Sequence, residues 1–218
     1  MYTQNKEEEF ILNYFGDFKG TLLDIGANDG KTFSNSLALI EKKRWQALLI
    51  EPNIEAFNLL QELHKDRYEG SVVIPATGFN PVQCLNVAIG NETRKTELFV
   101  NNPHLTGDVG LLGTIKKSET IQWGQLFNNN RSQVVEMITW ADLIKAKKYG
   151  TNFDFITIDA EGMDIDILKQ IDLTHTKLLC IEWNSIPAAR TEIVNYCNKF
   201  GMTKTIYQSP ENLLICRP

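Results

Sequence analysis

Two stretches in the first quarter of the chain combine residue types that suit a nucleoside ligand. Residues 22–30 form an apolar run around Asp24 that leads into a turn with two glycines, and residues 48–52 form a second apolar run that ends in Glu51 and a proline. Glycines in such a turn let the backbone approach a ligand, and a carboxylate after the second run can accept hydrogen bonds from ribose hydroxyls. The spacing therefore predicts a nucleoside site at one edge of a sheet.

The glycine pattern and the charge of this turn favour S-adenosylmethionine over a dinucleotide. A dinucleotide site uses G-x-G-x-x-G, whereas residues 24–30 are D-x-G-x-N-x-G. Asp24 and Asp29 would repel a pyrophosphate, but they suit a ligand with a sulfonium and an ammonium group. We therefore expect S-adenosylmethionine to be held by the turn and by the acid after the second run. The predicted residues are Asp24, Gly26, Ala27, Asn28, Gly30 and Glu51.

Acidic residues follow two later apolar runs and could act on a substrate. Asp159 and Glu161 come after the run at 153–158, and Glu182 ends the run at 178–182. If these runs are neighbouring strands, the three carboxylates converge at one rim, where they could provide a general base or hold a divalent cation. We predict all three acids as catalytic residues. For each acid alone, the alternatives are helix capping, compensation of a helix dipole or simple exposure.

Two further predictions concern the adenine and an alternative base. Asn86, Val87 and Ala88 belong to a third strand-like run and are expected to lie beside the adenine, with a polar group at the base edge and apolar atoms over its face. His104 lies in an irregular segment that could fold over the site, so it is an alternative base.

Strand-like and helical patterns alternate along the chain and predict an α/β fold. The short apolar runs have the continuous character of parallel strands covered by helices on both faces, so we expect one doubly wound, Rossmann-like, mostly parallel sheet. Two strand-like runs near the end, joined by turn residues at 209–212, predict an antiparallel C-terminal hairpin. The predicted strands are Thr21–Ile25, Ala47–Glu51, Val82–Ile89, Thr96–Val100, Val134–Ile138, Phe153–Ile158, Leu178–Glu182, Thr203–Gln208 and Leu213–Cys216. The predicted helices include Asn5–Tyr14, Lys31–Lys43, Ile54–Lys65, Met163–Ile171 and Pro187–Phe200.

One segment interrupts this alternation. Residues 101–133 are rich in Asn and Gly and weakly periodic, and a loop of this length inside a compact domain is often an active-site lid. We therefore expect a single domain over residues 1–218, with a helical lead at 1–20 and an inserted loop or lid at 101–133.

The composition excludes several classes of protein. The chain has 218 residues, a net charge of −5 and four cysteines without a C-x-x-C pair. The acidic balance argues against a nucleic-acid partner, and no apolar run approaches the length of a membrane span. The polar, acidic start does not resemble a secretory signal, so buried thiols in a reducing cytoplasm are expected.

These motifs resemble those of the FkbM-type class I S-adenosylmethionine-dependent methyltransferases. Residues 23–30 are similar to the first motif of that family, 50–52 to its ribose strand and 86–90 to its third motif. Residues 113–115 are similar to a Ser-Thr-Leu element and 138–143 to a T-L-D-D-L segment. The tightest similarity is the run FITIDAEG at 155–162, which resembles K-I-D-V-E-G.

The resemblance implies a fold, a reaction and a class of acceptor. It implies a doubly wound sheet with an antiparallel last strand, and methyl transfer onto a hydroxyl group of a sugar, a polysaccharide or a secondary metabolite. The chain departs from the pattern at Thr157, where lysine is common, and at Met163-Asp164, which replaces Ala-Glu. Substrate handling beside this strand is therefore expected to differ.

The leading hypothesis is an O-methyltransferase that acts on a small molecule or a glycan. A cation held by Asp159, Glu182 and Asn184 would be loosely similar to the metal site of catechol-type methyltransferases, although the spacing differs, so a base is favoured over a metal. Two other classes remain open. One is an NAD-dependent oxidoreductase, and the other is a non-catalytic module that binds S-adenosylmethionine or a partner.

Overall fold

The structure is a computed structural model that describes residues 1–67, 82–100, 113–116, 131–147 and 150–218. His104 and most of the predicted lid at 101–133 lie outside these residues. The helices are α1 Glu7–Phe15, α2 Leu37–Lys43, α3 Ile54–His64, α4 Trp140–Lys147, α5 Asp164–Leu168 and α6 Pro187–Asn198, with a 3-10 turn at Lys65–Arg67. The strands are β1 Thr21–Ile25, β2 Gln46–Ile50, β3 Val82–Leu85, β4 Ala88–Ile89, β5 Arg94–Val100, β6 Gly113–Thr114, β7 Ser132–Ile138, β8 Phe155–Ile158, β9 Leu178–Glu182, β10 Lys204–Gln208 and β11 Asn212–Cys216.

Seven strands form the main sheet in the order β10-β11-β9-β8-β1-β2-β3. The five strands from β9 to β3 are parallel, and β11 lies antiparallel between β9 and β10. Buried apolar side chains cover both faces of the central strands, which explains their continuous apolar runs. The predicted mostly parallel α/β sheet with an antiparallel C-terminal hairpin is confirmed.

The register of the central strands brings the predicted site residues to one edge. Ile25 of β1 pairs with Ile50 of β2 and with Ile158 of β8. The residue that follows each of these three isoleucines is therefore at the same level of the sheet. Those residues are Gly26, Glu51 and Asp159.

The predicted third strand, Val82–Ile89, is wrong as a single element. β3 joins the main sheet, whereas β4 joins a second sheet of order β4-β7-β5-β6. Between them, the Asn86 side-chain amide donates to the carbonyl oxygens of Glu51 and Pro52, each at 2.9 Å. These bonds tie the chain to the end of β2 where it leaves the sheet, a contact that a local apolar pattern does not reveal. The strands predicted near Thr96–Val100 and Val134–Ile138 are present as β5 and β7.

The helix predicted over Lys31–Lys43 is shorter in the structure and begins at Leu37. The Asp29 carboxylate accepts hydrogen bonds from the backbone N–H groups of Lys31 and Thr32, at 2.8 and 2.7 Å. The Ser34 hydroxyl oxygen then accepts from the Leu37 N–H at 3.0 Å. Such bonds from short polar side chains compete with helical backbone bonds, so residues 31–36 form a loop instead.

Other sequence expectations agree with the structure within a few residues. The leading helix predicted over Asn5–Tyr14 corresponds to α1, and the helix predicted over Met163–Ile171 corresponds to the shorter α5. All four cysteines are buried and none is in a disulfide. None of the helices in the described part of the chain combines the length and apolar character needed to span a bilayer.

Candidate active site

A cavity of about 390 Å3 opens at the carboxyl ends of β1, β2 and β8. Its volume falls within the roughly 300–1,000 Å3 of small-molecule sites. Most of the residues predicted from sequence line it, namely Asp24, Gly26, Ala27, Asn28, Glu51, Val87, Ala88, Asp159, Glu161 and Glu182. Gly30 and Asn86 do not line the cavity. The roles of all these residues stay predictions.

Gly26 is required by both its conformation and its surroundings. Its φ is +87°, in the region that favours glycine, and a Cβ built on it would lie 1.7 Å from the carbonyl oxygen of Asp159. The N–H groups of Gly26 and Ala27 both donate to the carbonyl oxygen of Ile50, at 2.9 and 3.0 Å. The turn is thus held against the ends of both neighbouring strands.

Glu51 is a buried carboxylate fixed by two backbone donors. Glu51 is only 6% exposed. Its Oε2 accepts a hydrogen bond from the Asn28 N–H at 2.9 Å, and its Oε1 accepts one from the Asn53 N–H at 2.7 Å. Burial raises its pKa to about 7, and the two N–H donors oppose this while Asp24 and Asp159 add to it. Each carboxylate oxygen retains a second acceptor position, which two ribose hydroxyls could use.

Asp24 lies at the floor of the cavity and is 5% exposed. Its Oδ2 accepts a hydrogen bond of 2.6 Å from the Ser36 hydroxyl, which comes from the loop before α2. Burial raises the pKa of Asp24 to about 6, and the Ser36 bond opposes that shift. Sequence reasoning missed Ser36, because no local spacing relates it to Asp24.

Gly30 and Asn86 do not line the cavity, but they contact the elements that form it. Gly30 has a φ of +79°, and a Cβ there would lie 2.5 Å from Cδ1 of Leu60 in α3. Asn86 uses its amide N–H groups on the carbonyls of Glu51 and Pro52. Gly30 therefore permits close packing of α3, and Asn86 fixes the segment that carries the Glu51 carboxylate.

The three predicted catalytic acids meet at the rim. One carboxylate oxygen from each of Asp159, Glu161 and Glu182 lies within 4.8 Å of the others. Burial of the carboxyl group and repulsion from Asp164 and Asp24 raise the pKa of Asp159 to about 7. Burial of the carboxyl group and repulsion from Asp159, Asp164 and Glu161 raise the pKa of Glu182 well above its usual range. Two ionised carboxylates about 4 Å apart repel by about 4 kcal/mol at an effective dielectric constant of about 20.

Asp164 organises the loop between Asp159 and α5 and was not predicted as a site residue. It is buried, with Oδ1 accepting from the Ala160 N–H at 2.8 Å and Oδ2 from the Gly162 N–H at 3.1 Å. Burial nevertheless raises its pKa. The sequence signal was the Met163-Asp164 pair, which stands where the resembling family has Ala-Glu.

Two segments distant in sequence complete the cavity. Gln4 from the N-terminal lead and Glu211 from the C-terminal turn both line it. The Asn5 side-chain amide donates to Glu211 at 2.8 Å, and the buried Glu7 carboxylate accepts from the Ser209 hydroxyl at 2.9 Å. These contacts join the N-terminal lead to the C-terminal turn beside the acidic rim, and no motif or spacing in the sequence predicts them.

The charges around the cavity are of one sign. Among the described residues that line it, six are acidic and none is lysine, arginine or histidine. The acids are Asp24, Glu51, Asp159, Glu161, Glu182 and Glu211. Thr157, where the resembling family commonly has lysine, also lines the cavity and accepts a 3.4 Å bond from the Asn35 amide. The cavity therefore favours cationic ligands.

The strand order, the antiparallel β11 and a cavity at the parallel strand ends define a class I methyltransferase fold. The chain matches the model of the methyltransferase FkbM domain over residues 24–202, and it belongs to the FkbM methyltransferase family. This confirms the resemblance found in the sequence. A comparison with curated proteins gave no match.

Solved structures with a similar fold include other methyltransferases. A crystal structure of methyltransferase FkbM from Methylobacillus flagellatus KT is 15% identical, with a TM-score of 0.54 over 91% of this chain and 44% of that one. The present chain thus spans less than half of that protein. The METTL16 MTase domain is 10% identical, with a TM-score of 0.49 over 96% of this chain and 64% of that one. The ribosomal protein L11 methylase of Lactobacillus delbrueckii subsp. bulgaricus is 12% identical, with a TM-score of 0.45 over 97% and 77%.

Proposed function

We propose that the protein is an S-adenosylmethionine-dependent methyltransferase that methylates a hydroxyl group. The observation that carries this proposal is the buried Glu51 carboxylate, fixed at the end of β2 beside the Gly26 turn in a cavity lined by acids. A carboxylate there can accept the two ribose hydroxyls of a nucleoside. The same acidic lining would repel a pyrophosphate, which argues against a dinucleotide.

The residues present fit the parts of S-adenosylmethionine. Glu51 would accept the ribose hydroxyls, and Val87 and Ala88 would contact the adenine. Asp24, aligned by Ser36, would stabilise the ammonium group directly or through water. Gly26 and Ala27 would allow the methionine portion to approach the backbone closely. S-adenosylmethionine supplies a methyl group already activated by the sulfonium, so the protein mainly has to position the acceptor.

Asp159 is the first choice for the group that receives the acceptor's proton. In this reaction the acceptor oxygen forms a bond to the methyl carbon, the carbon–sulfur bond breaks with its electron pair left on sulfur, and the hydroxyl proton passes to the Asp159 carboxylate. A pKa of about 7 suits a base that works near neutral pH. Glu161 and Glu182 would orient the acceptor or replace Asp159 in this role.

The acceptor class follows from family resemblance. We propose a sugar, a polysaccharide or a secondary metabolite with a free hydroxyl group. A nucleic-acid acceptor is disfavoured by the net charge of −5 and by the acidic cavity, since phosphates would be repelled.

Calorimetry tests the donor. S-adenosylmethionine and S-adenosylhomocysteine should bind the full chain, whereas NADH should not. Glu51→Ala should weaken S-adenosylmethionine binding by at least about tenfold, which corresponds to roughly 1.4 kcal/mol. Glu9→Ala, an exposed glutamate on α1, is the matched control and should leave the affinity unchanged. Equal affinities for wild type and Glu51→Ala would contradict the proposal.

Incubation with methyl-labelled S-adenosylmethionine and fractionated lysate tests the transfer. Label should appear in a base-stable ether on a small molecule or a glycan, and Asp159→Ala should reduce it. Donor binding without any transfer of label in any fraction would favour a non-catalytic binding module instead. NADH binding in place of S-adenosylmethionine would favour the oxidoreductase class.

A further inference from the structure

The acidic rim has the composition of a metal site. Asp159 directly follows β8, Glu161 lies in the loop after it, and Glu182 ends β9. A carboxylate oxygen from each lies within 4.8 Å of the others, so the three are close enough together to share one ion. Three oxygen ligands without sulfur or imidazole suit hard divalent cations.

A second observation points to a missing partner. Oε2 of Glu182 has less than 1 Å2 of accessible surface and no hydrogen-bond donor among the described residues. A buried carboxylate oxygen without a donor is costly, and a bound cation satisfies it.

No described basic side chain neutralises the rim. Lys116 is close, but its ammonium donates to the carbonyl oxygen of Gly162 and pairs with Asp166 at 3.3 Å. It does not line the cavity. No described lysine, arginine or histidine therefore lines the cavity beside the three carboxyl groups, and a bound cation would favour their ionised forms.

The backbone positions of the three acids are fixed by separate contacts. The Asp159 N–H donates to the carbonyl oxygen of Ile25 at 2.9 Å, and the carbonyl oxygen of Glu161 accepts from the Thr114 hydroxyl at 2.9 Å. Glu182 pairs with Asn212 across β9 and β11. Three ligands held in place before binding are what a metal site needs.

We propose that Asp159, Glu161 and Glu182 bind one divalent cation of the Mg2+, Mn2+ or Ca2+ class at the rim of the donor cavity. The remaining coordination positions open into that cavity and take water or an acceptor hydroxyl oxygen. Each acid contributes one oxygen to the ion, so the second oxygen of Asp159 would receive the acceptor's proton. That role toward the acceptor rests on the proposed function, whereas the ion site does not.

Electron paramagnetic resonance with Mn2+ tests this site in the full chain after treatment with EDTA. One Mn2+ should bind per chain, and Mg2+ or Ca2+ should compete for it. Asp159→Asn and Glu182→Gln should each weaken Mn2+ binding by at least about tenfold. Asp166→Asn is the matched control, because that acid pairs with Lys116 and does not line the cavity, and it should bind Mn2+ like wild type.

Circular dichroism and the melting temperature establish that each variant is folded, and Glu161→Gln replaces any variant that is not. The absence of saturable Mn2+ binding to wild type, or equal binding by all variants, would overturn the site. Calorimetry with S-adenosylmethionine in EDTA separates the two proposals. Donor binding without Mn2+ binding removes the ion site alone, and Mn2+ binding without donor binding removes the proposed function alone.

Discussion

The carbonyl oxygen of Asp159 lies 1.7 Å from the point that a Cβ on Gly26 would occupy. The turn expected to hold the cofactor and the acid expected to receive a proton are thus in direct backbone contact. The Asp159 N–H also donates to Ile25, the residue before the glycine, at 2.9 Å. A displacement of one strand end therefore displaces the other.

Gly26→Ala should disrupt both parts of the site. The added methyl group has to push apart β1 and β8, and the φ of +87° adds strain for any residue with a Cβ. We expect the free energy of unfolding to fall by about 3 kcal/mol or more and S-adenosylmethionine binding to be lost. Urea unfolding and calorimetry measure these effects.

Gly201→Ala is the matched control for that substitution. Its φ is +73°, so the backbone strain is similar, but the nearest atom to its Cβ is the tip of the flexible Arg217 side chain at 3.2 Å. We expect a loss of about 1 kcal/mol without a change in donor affinity. Similar losses for both variants would mean that close packing against Asp159 contributes little.

Glu51 should make the protein less stable as pH rises. Its pKa is raised from 4.5 to about 7 on folding, so the stabilisation is fully present below pH 4.5 and is lost as pH rises through about 7. Relative to Glu51→Gln, wild type should lose about 3 kcal/mol of unfolding free energy over that interval. Urea unfolding at a series of pH values measures the difference. The unfolding free energy of Glu9→Gln should change with pH as that of wild type does. If the unfolding free energies of wild type and Glu51→Gln changed with pH in parallel, the raised pKa of Glu51 would be refuted.

Donor affinity should change with pH in the opposite direction. Ionised Glu51 accepts ribose hydroxyls better than the protonated acid, so affinity for S-adenosylmethionine should rise about tenfold between roughly pH 6 and pH 8. Glu51→Gln should bind more weakly and with a flatter pH dependence. Calorimetry at each pH gives both profiles, and a steep profile retained in Glu51→Gln would assign the titration to another group.

Ser36→Ala should destabilise the protein chiefly at high pH. The hydroxyl donates to Asp24 at 2.6 Å and opposes the rise of its pKa to about 6, so its loss matters most when Asp24 is ionised. We expect a loss of about 1–2 kcal/mol near pH 8 and a smaller loss near pH 5. Ser185→Ala, which removes an exposed hydroxyl bonded to Pro210, should change stability by less than about 0.5 kcal/mol. Equal effects of Ser36→Ala at both pH values would exclude a link to Asp24.

Asn86→Ala distinguishes a positioning role from contact with the adenine. Loss of its two bonds to the carbonyls of Glu51 and Pro52 should lower the free energy of unfolding by about 1–2 kcal/mol and also weaken donor binding. Weaker binding with unchanged stability would instead indicate direct contact with the ligand. Urea unfolding and calorimetry on the same preparation separate these outcomes.

The parallel core of the fold could be predicted because its strands are buried on both faces and have continuous apolar sequences. Residues such as Glu51 and Asp159 were identifiable because they directly follow those runs. The alternation of strands with helices also supplied the order of the elements.

The remaining features depend on contacts between distant residues. Asn86 redirects the chain through bonds to Glu51 and Pro52, and Asp29 bonds keep residues 31–36 out of a helix. The Ser36 contact with Asp24 and the placement of Glu211 at the cavity likewise arise only in the folded chain. Local periodicity and motif spacing contain no information about such contacts.

The position of β11 has a consequence for synthesis on the ribosome. This strand, Asn212–Cys216, is made after the ten other strands of the described residues, yet it lies inside the main sheet with Leu213 and Leu214 fully buried. Until Cys216 has left the ribosome, β9 lacks its antiparallel neighbour and exposes an unpaired edge. Translation pauses before that point should therefore expose the nascent chain to chaperones and to edge-to-edge aggregation.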